Sequence, residues 1–223
     1  MKIDRLIRTK RKTIALVVEI DGSLTVRAPL RLSQKRILEL VDQKVAWIQS
    51  KQAQARTMPP AVKAKAYVDG EIFWFLGKPY PLEIVPKARQ PLKLEDKFYL
   101  AESALPKAGA VFTAWYKAQA AQILVQKAHQ AGEQLGLAYR QLKITSAQGR
   151  WGSCTSQGTI CFTWRLVMAP PAEIEYVVVH ELIHLVEKNH SKKFWGKVEA
   201  ILPDFKARRQ WLKDNNHLLI VQF

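Results

Sequence analysis

The chain has 223 residues, 48% of them hydrophobic and 24% charged, a balance that suits a globular protein with a buried core, built as one domain or two small lobes. Its formal net charge is +16 and its pI near 9.9, so the surface favours polyanions such as nucleic acid or nucleotides, or acidic proteins. Residues 1–5 carry charges where a secretory leader needs an apolar run, and no later stretch approaches a membrane span; a cytoplasmic protein with no membrane partner is expected.

In chain order, residues 13–28 predict a β-hairpin turned at Asp21-Gly22. Ser33 opens a helix running to about residue 55, with Ile37, Leu38, Leu40, Val41, Val45 and Ile48 at helical spacing, and Met58-Pro59-Pro60 ends it. Residues 67 to about 100 read as short strands punctuated by Asp69-Gly70, Gly77-Lys78-Pro79 and Glu95-Asp96. A long helix over about 107–134 is stopped by Gly136. Residues 142–146 and a hairpin over 151–164 follow. Its expected turn at Gln157-Gly158 would set the two cysteines, Cys154 and Cys161, opposite one another as packed thiols rather than a disulfide. Helices are expected after Pro170-Pro171, over 192 to about 202, and over about 204–213. The order predicts an α+β fold, with a β-rich lobe carrying one helix over 1–105 and a lobe of helices on a small sheet over 106–223.

The third-to-last of these helices carries His180-Glu181-Leu182-Ile183-His184. Residues four apart share a helix face, so His180 and His184 can aim two imidazoles at one ion, with the Glu181 carboxylate beside it. Neutral imidazole is a usual Zn²⁺ ligand, and a catalytic zinc site keeps one position open. The pentapeptide therefore reads as a metal site with a general base built in. A third ligand must come from elsewhere. His190 would lie off the face and too far along if the helix ran on, so it can join only if the helix stops first. Asn189 tolerates a left-handed helix end, Lys188 suits the negative end of the dipole, and Ser191 is a good N-cap for the next helix. Glu199, on that next helix, is the competing third ligand. Glu187, one turn beyond His184, is a candidate for orienting an imidazole. His129 and His217 read as surface or structural residues.

Arg150-Trp151-Gly152-Ser153-Cys154, Trp164-Arg165-Leu166, Val177-Val178-Val179-His180-Glu181-Leu182 and Asn189-His190-Ser191 with Phe194-Trp195 together resemble the YgjP-like metallopeptidases. The likeness is most specific over residues 150–195. It implies a zincin-like catalytic lobe, a Zn²⁺ held at His180, His184 and His190, Glu181 as the catalytic residue, and a peptide or protein substrate. Thr163 stands where the resemblance leads one to expect asparagine.

The expected function is thus a zinc-dependent hydrolase, a metallopeptidase in which Glu181 activates water. The hairpin before the motif helix could accept an extended peptide by strand addition, with Arg150 or Arg165 near the developing oxyanion. Two alternatives stay open: a metal-dependent hydrolase of nucleotide phosphoanhydrides, and a nucleic-acid-binding protein with a structural zinc. Basic clusters at residues 8–12, at Lys192, Lys193 and Lys197, and at Lys206, Arg208 and Arg209 motivate both.

Overall fold

The computed structural model describes residues 2–19, 22–57, 65–221 and 223, without the side chains of 54–57. The chain divides into two compact units, Met1–Lys63 and Ala64–Phe223.

In the first unit, β1 (Arg5–Thr9), β2 (Ala15–Val18) and β3 (Leu24–Pro29) form a sheet ordered β1-β3-β2. β2 and β3 are the expected hairpin, with Gly22 in the left-handed region (φ +81°) and its N–H on the Glu19 carbonyl; Asp21 lies outside the described residues. β1 pairs in parallel with β3 and was not expected from sequence. Arg8, read as part of a basic cluster, instead donates to the carbonyls of Pro29, Leu30 and Leu32. The helix expected over 33–55 is broken into α1 (Gln34–Asp42) and α2 (Val45–Thr57). Ser33 caps α1 by accepting from the Arg36 N–H, and Gln43 and Lys44 close its end on the carbonyls of Glu39 and Val41. Ile37, Val41 and Ile48 bury against Leu24, Val26 and Ala28 of β3. The expected stop at Met58-Pro59-Pro60 lies outside the described residues.

The second unit begins with a sheet ordered β4-β5-β7-β6, from β4 (Ile72–Phe75), β5 (Lys78–Val85), β6 (Leu92–Leu94) and β7 (Phe98–Ala101). The long helix α3 (Ala108–Leu135) ends on a left-handed Gly136 (φ +64°), as the sequence predicts. Its buried residues, Ala108, Phe112, Tyr116, Ala120, Leu124, Ala128 and Gly132, recur at every fourth position. Phe112 stacks on Phe73 at 4.1 Å and Tyr116 donates its hydroxyl to the Trp74 carbonyl at 2.7 Å. Those contacts group β4–β7 with α3 inside the unit Ala64–Phe223.

A second sheet, ordered β8-β10-β9, holds β8 (Gln141–Thr145), β9 (Gly152–Cys154) and β10 (Thr159–Thr163). β10 runs parallel to β8 and antiparallel to β9. A buried 3-10 turn, Trp164–Met168, leads into α4 (Pro171–Ile183), followed by α5 (Lys192–Ile201), α6 (Phe205–Asp214) and a closing 3-10 turn, Asn216–Ile220. Gly77 fastens the β4–β5 turn to the start of α4. Its N–H donates to the Met168 carbonyl, and a Cβ there would lie 2.7 Å from Pro170. The fold is α+β, with several small sheets and six helices among the described residues. No helix among the described residues is long and apolar enough to cross a membrane.

The β9–β10 hairpin corrects one detail. Thr155 N–H donates to the Thr159 carbonyl and Gly158, at φ +79°, donates to Thr155. Three residues therefore make the connection, and the extra one shifts the register. Cys154 pairs with Ile160 and Cys161 with Ser153, so the cysteines are one step apart rather than opposite, and both are free thiols.

Candidate metal centre

Helix α4 is apolar almost all round. Ile174, Val177, Val178, Val179, Leu182 and Ile183 are buried, as expected of a helix enclosed in a core. Pro171 starts it with a pre-set φ and no N–H to satisfy. It stops at Ile183, with His184 as the capping residue in right-handed conformation. The left-handed ending expected at Asn189 does not occur. The Ile183 carbonyl accepts from both Val186 and Glu187 N–H, and Lys188 Nζ donates to the Leu185 carbonyl. Asn189 instead accepts from the Ser191 N–H through its side chain, and Ser191 caps α5. The early stop is what allows His190 to turn back.

It returns to the pair. His190 Nε2 lies 3.0 Å from His180 Nε2 and 3.2 Å from His184 Nε2, and the three form the one group of three potential metal-ligating side chains among the described residues. A tetrahedral site with metal–nitrogen bonds of 2.0–2.1 Å has ligand–ligand edges of about 3.3 Å, so the spacing fits one cation. His184 Nδ1 is 2.9 Å from the Glu187 carbonyl. A carbonyl only accepts, so Nδ1 carries the proton and Nε2 faces the cluster with its lone pair free. Glu187 thus orients the ring through its main chain rather than its carboxylate. Buried Phe194 lies beneath all three rings, at 4.9, 4.5 and 4.8 Å from His180, His184 and His190. Trp195 stacks on His190 at 5.4 Å.

Glu181 is 5% exposed. Its Oε2 is buried with no hydrogen-bond partner, an expensive arrangement unless another group completes it. Gly152 of β9 makes room for it: a Cβ on Gly152 would lie 2.7 Å from Glu181 Oε1. Burial pushes the Glu181 carboxyl up to about 8, against the pull of the Arg150 charge. Burial, aided by the neighbouring His184 and His190 and by Arg209, pushes His180 down to about 3. His190 is also lowered, by burial and by His184 and Arg209. A neutral imidazole at ordinary pH is the form that can ligate a metal.

These shifts act oppositely on the stability of the metal-free protein. His180 titrates at 6.5 when unperturbed, so the unfolded chain takes its proton first and stability is lost as pH falls from about 6.5 toward 3. Glu181 starts from 4.5; its folded form holds the proton longer, so stability is lost as pH rises from about 4.5 toward 8. Between about 4.5 and 6.5 the Glu181 slope opposes that of His180, with His190 acting in the same sense as His180. Chelated wild type should therefore lose about 1–2 kcal/mol between pH 6.5 and 8 that chelated Glu181→Gln keeps. Urea unfolding of both proteins at the two pH values checks this; parallel losses would refute it.

The remaining candidates fall elsewhere. Glu199 is exposed and faces Lys206 Nζ at 3.4 Å. His129 pairs with Glu133 on the exposed face of α3, and His217 lies in the closing 3-10 turn. Arg165 is buried and spent on structure: it donates to the carbonyls of Ser146 and Val221 and lies over Trp164. Thr163 donates its hydroxyl to the Ala147 carbonyl at 2.8 Å. Sequence reasoning singled out neither Phe194 as the floor of the cluster nor Gly152 as the cradle of Glu181. A glycine inside a strand is itself a sign of close approach.

The family model described as YgjP-like, metallopeptidase domain, matches residues 12–215 of the chain. No curated protein and no solved structure matches.

Proposed function

The chain belongs to the YgjP-like metallopeptidase family, and from that premise we propose that it is a Zn²⁺-dependent peptidase with His180, His184 and His190 as metal ligands and Glu181 as general base. The observation that carries this reading is the convergence of three imidazoles, with His190 Nε2 3.0 Å from His180 Nε2 and 3.2 Å from His184 Nε2. Three nitrogen donors favour Zn²⁺ over Mg²⁺, which prefers oxygen, and the nucleotide alternative has only net charge behind it. In this reading the zincin-like catalytic lobe proposed for residues 106–223 lies within the unit Ala64–Phe223.

Bound by the three histidines, the cation would supply Lewis acidity to the scissile carbonyl and to attacking water. Glu181 Oε2, unpartnered and enclosed, is the atom that takes the water proton, and the same oxygen returns it to the leaving nitrogen. Burial raises the basicity of that carboxylate, which suits it to hold a proton between the two steps.

Strand β9 supports a peptide substrate. Among the described residues it pairs only with β10. Bonded positions at Trp151–Thr163 and Thr155–Thr159 alternate with non-bonded ones, so the main-chain N–H and C=O of Gly152 and Cys154 point away from β10. An extended polypeptide laid along that edge would pass beside Glu181, which touches Gly152.

Metal analysis of purified protein tests the ligand set. Wild type should carry about one Zn²⁺ per chain, Glu199→Ala should match it, and His190→Ala should lose most of it, since one ligand of three is removed. Metal retained by His190→Ala and lost by Glu199→Ala would reassign the third ligand.

A further inference from the structure

Two consecutive arginines of α6 have different fates. Arg208 is committed within the fold: Nη1 donates to the Ala172 carbonyl at 3.0 Å and to Glu175 at 2.6 Å, and Nε to Asp204 at 2.9 Å. Arg209 is exposed and has no carboxylate partner among the described residues. Its guanidinium carbon lies 4.8 Å from the centre of the Trp195 ring, and Trp195 in turn stacks on His190 and lies 5.8 Å from His180. An aromatic platform holds a guanidinium in place and covers one face while leaving its in-plane N–H donors open. That fork of donors matches a carboxylate in two-point contact.

We infer that Arg209 is a specificity-determining residue, whose guanidinium takes a carboxylate of the polypeptide substrate beside the three histidines. The inference rests on the peptidase reading. Because the guanidinium is seated against Trp195 rather than against the imidazoles, it reaches a neighbouring part of the substrate and not the carbonyl under attack. The carboxylate is supplied by an acidic side chain near the bond to be cut or by the chain terminus. The surplus of positive charge, 35 Lys and Arg against 19 Asp and Glu, draws such acidic polypeptides toward the protein.

The test uses peptides that differ only in carboxylates: a Gln-containing amidated sequence, the same sequence with one Glu moved through each position, and the same sequence with a free C-terminus. Binding is read by fluorescence anisotropy on Zn²⁺-loaded, full-length Glu181→Gln, with Arg209 intact or changed to Met or Lys. With Arg209, at least one carboxylate-bearing peptide should bind about tenfold tighter than the parent. With Met that ratio should fall toward one, and with Lys it should be partly kept. Whichever peptides show the preference identify the source of the carboxylate. Absence of any preference, or a preference that survives Arg209→Met, overturns the inference. Cleavage of the same peptides with Glu181 intact is scored separately, so failure to cut any of them counts against the peptidase reading while the binding ratio still judges Arg209.

Discussion

Glu181→Gln is expected to keep the bound metal and the fold while lowering peptide turnover by about 10³-fold, within the range that loss of a positioned general base produces. Glutamine preserves the volume of the side chain and its fit against Gly152, where there is no room for a larger change. The amide cannot accept a proton from water, and among the described residues no carboxylate joins the histidine group: Glu187 meets it through its carbonyl and Glu199 faces Lys206. Steady-state assays paired with metal analysis separate the two effects. Retained turnover at full metal content would remove Glu181 from the chemistry.

Gly152→Ala should also slow turnover, by about 10²-fold, without replacing a ligand or the base. The added methyl would sit 2.7 Å from Glu181 Oε1 and 2.8 Å from its Cγ, so either the carboxylate or strand β9 must move. A displacement near 1 Å of a catalytic group costs about 10²-fold in rate. The loss should appear in kcat, with metal content unchanged because His180, His184 and His190 stand on other elements. Full activity in Gly152→Ala would show that the contact relaxes freely.

Which parts were legible in the sequence follows from how local their causes are. The pairing of His180 with His184 depends only on helix period, and His190 could be anticipated because Ser191 announces a new helix. Gly136 marked the end of α3 for a similar reason. The break between α1 and α2 was hidden because Val41, Val45 and Ile48 keep helical spacing across it. The cysteine register was misjudged because it depends on one extra residue in a turn, and β1 because parallel pairing leaves no local signature. The cradle at Gly152 joins a strand to a helix almost thirty positions later, and Arg209 reaches Trp195 from a different helix. Such contacts exist only once the chain has folded.

The four-residue recurrence along α3 has a geometric corollary. Because an α-helix turns once in 3.6 residues, positions four apart advance by about 40° around its axis at each step. A straight rod with that recurrence shows its apolar side to successively different quarters, which is how α3 can support the aromatic side chains of β4, the turn before α4, α4 itself and β8. The histidine-bearing helix is thereby held in angular register by a neighbour that brings no side chain to the histidine group. A single residue inserted midway along that rod would swing everything downstream by roughly 100° and leave the elements packed on it without a common axle.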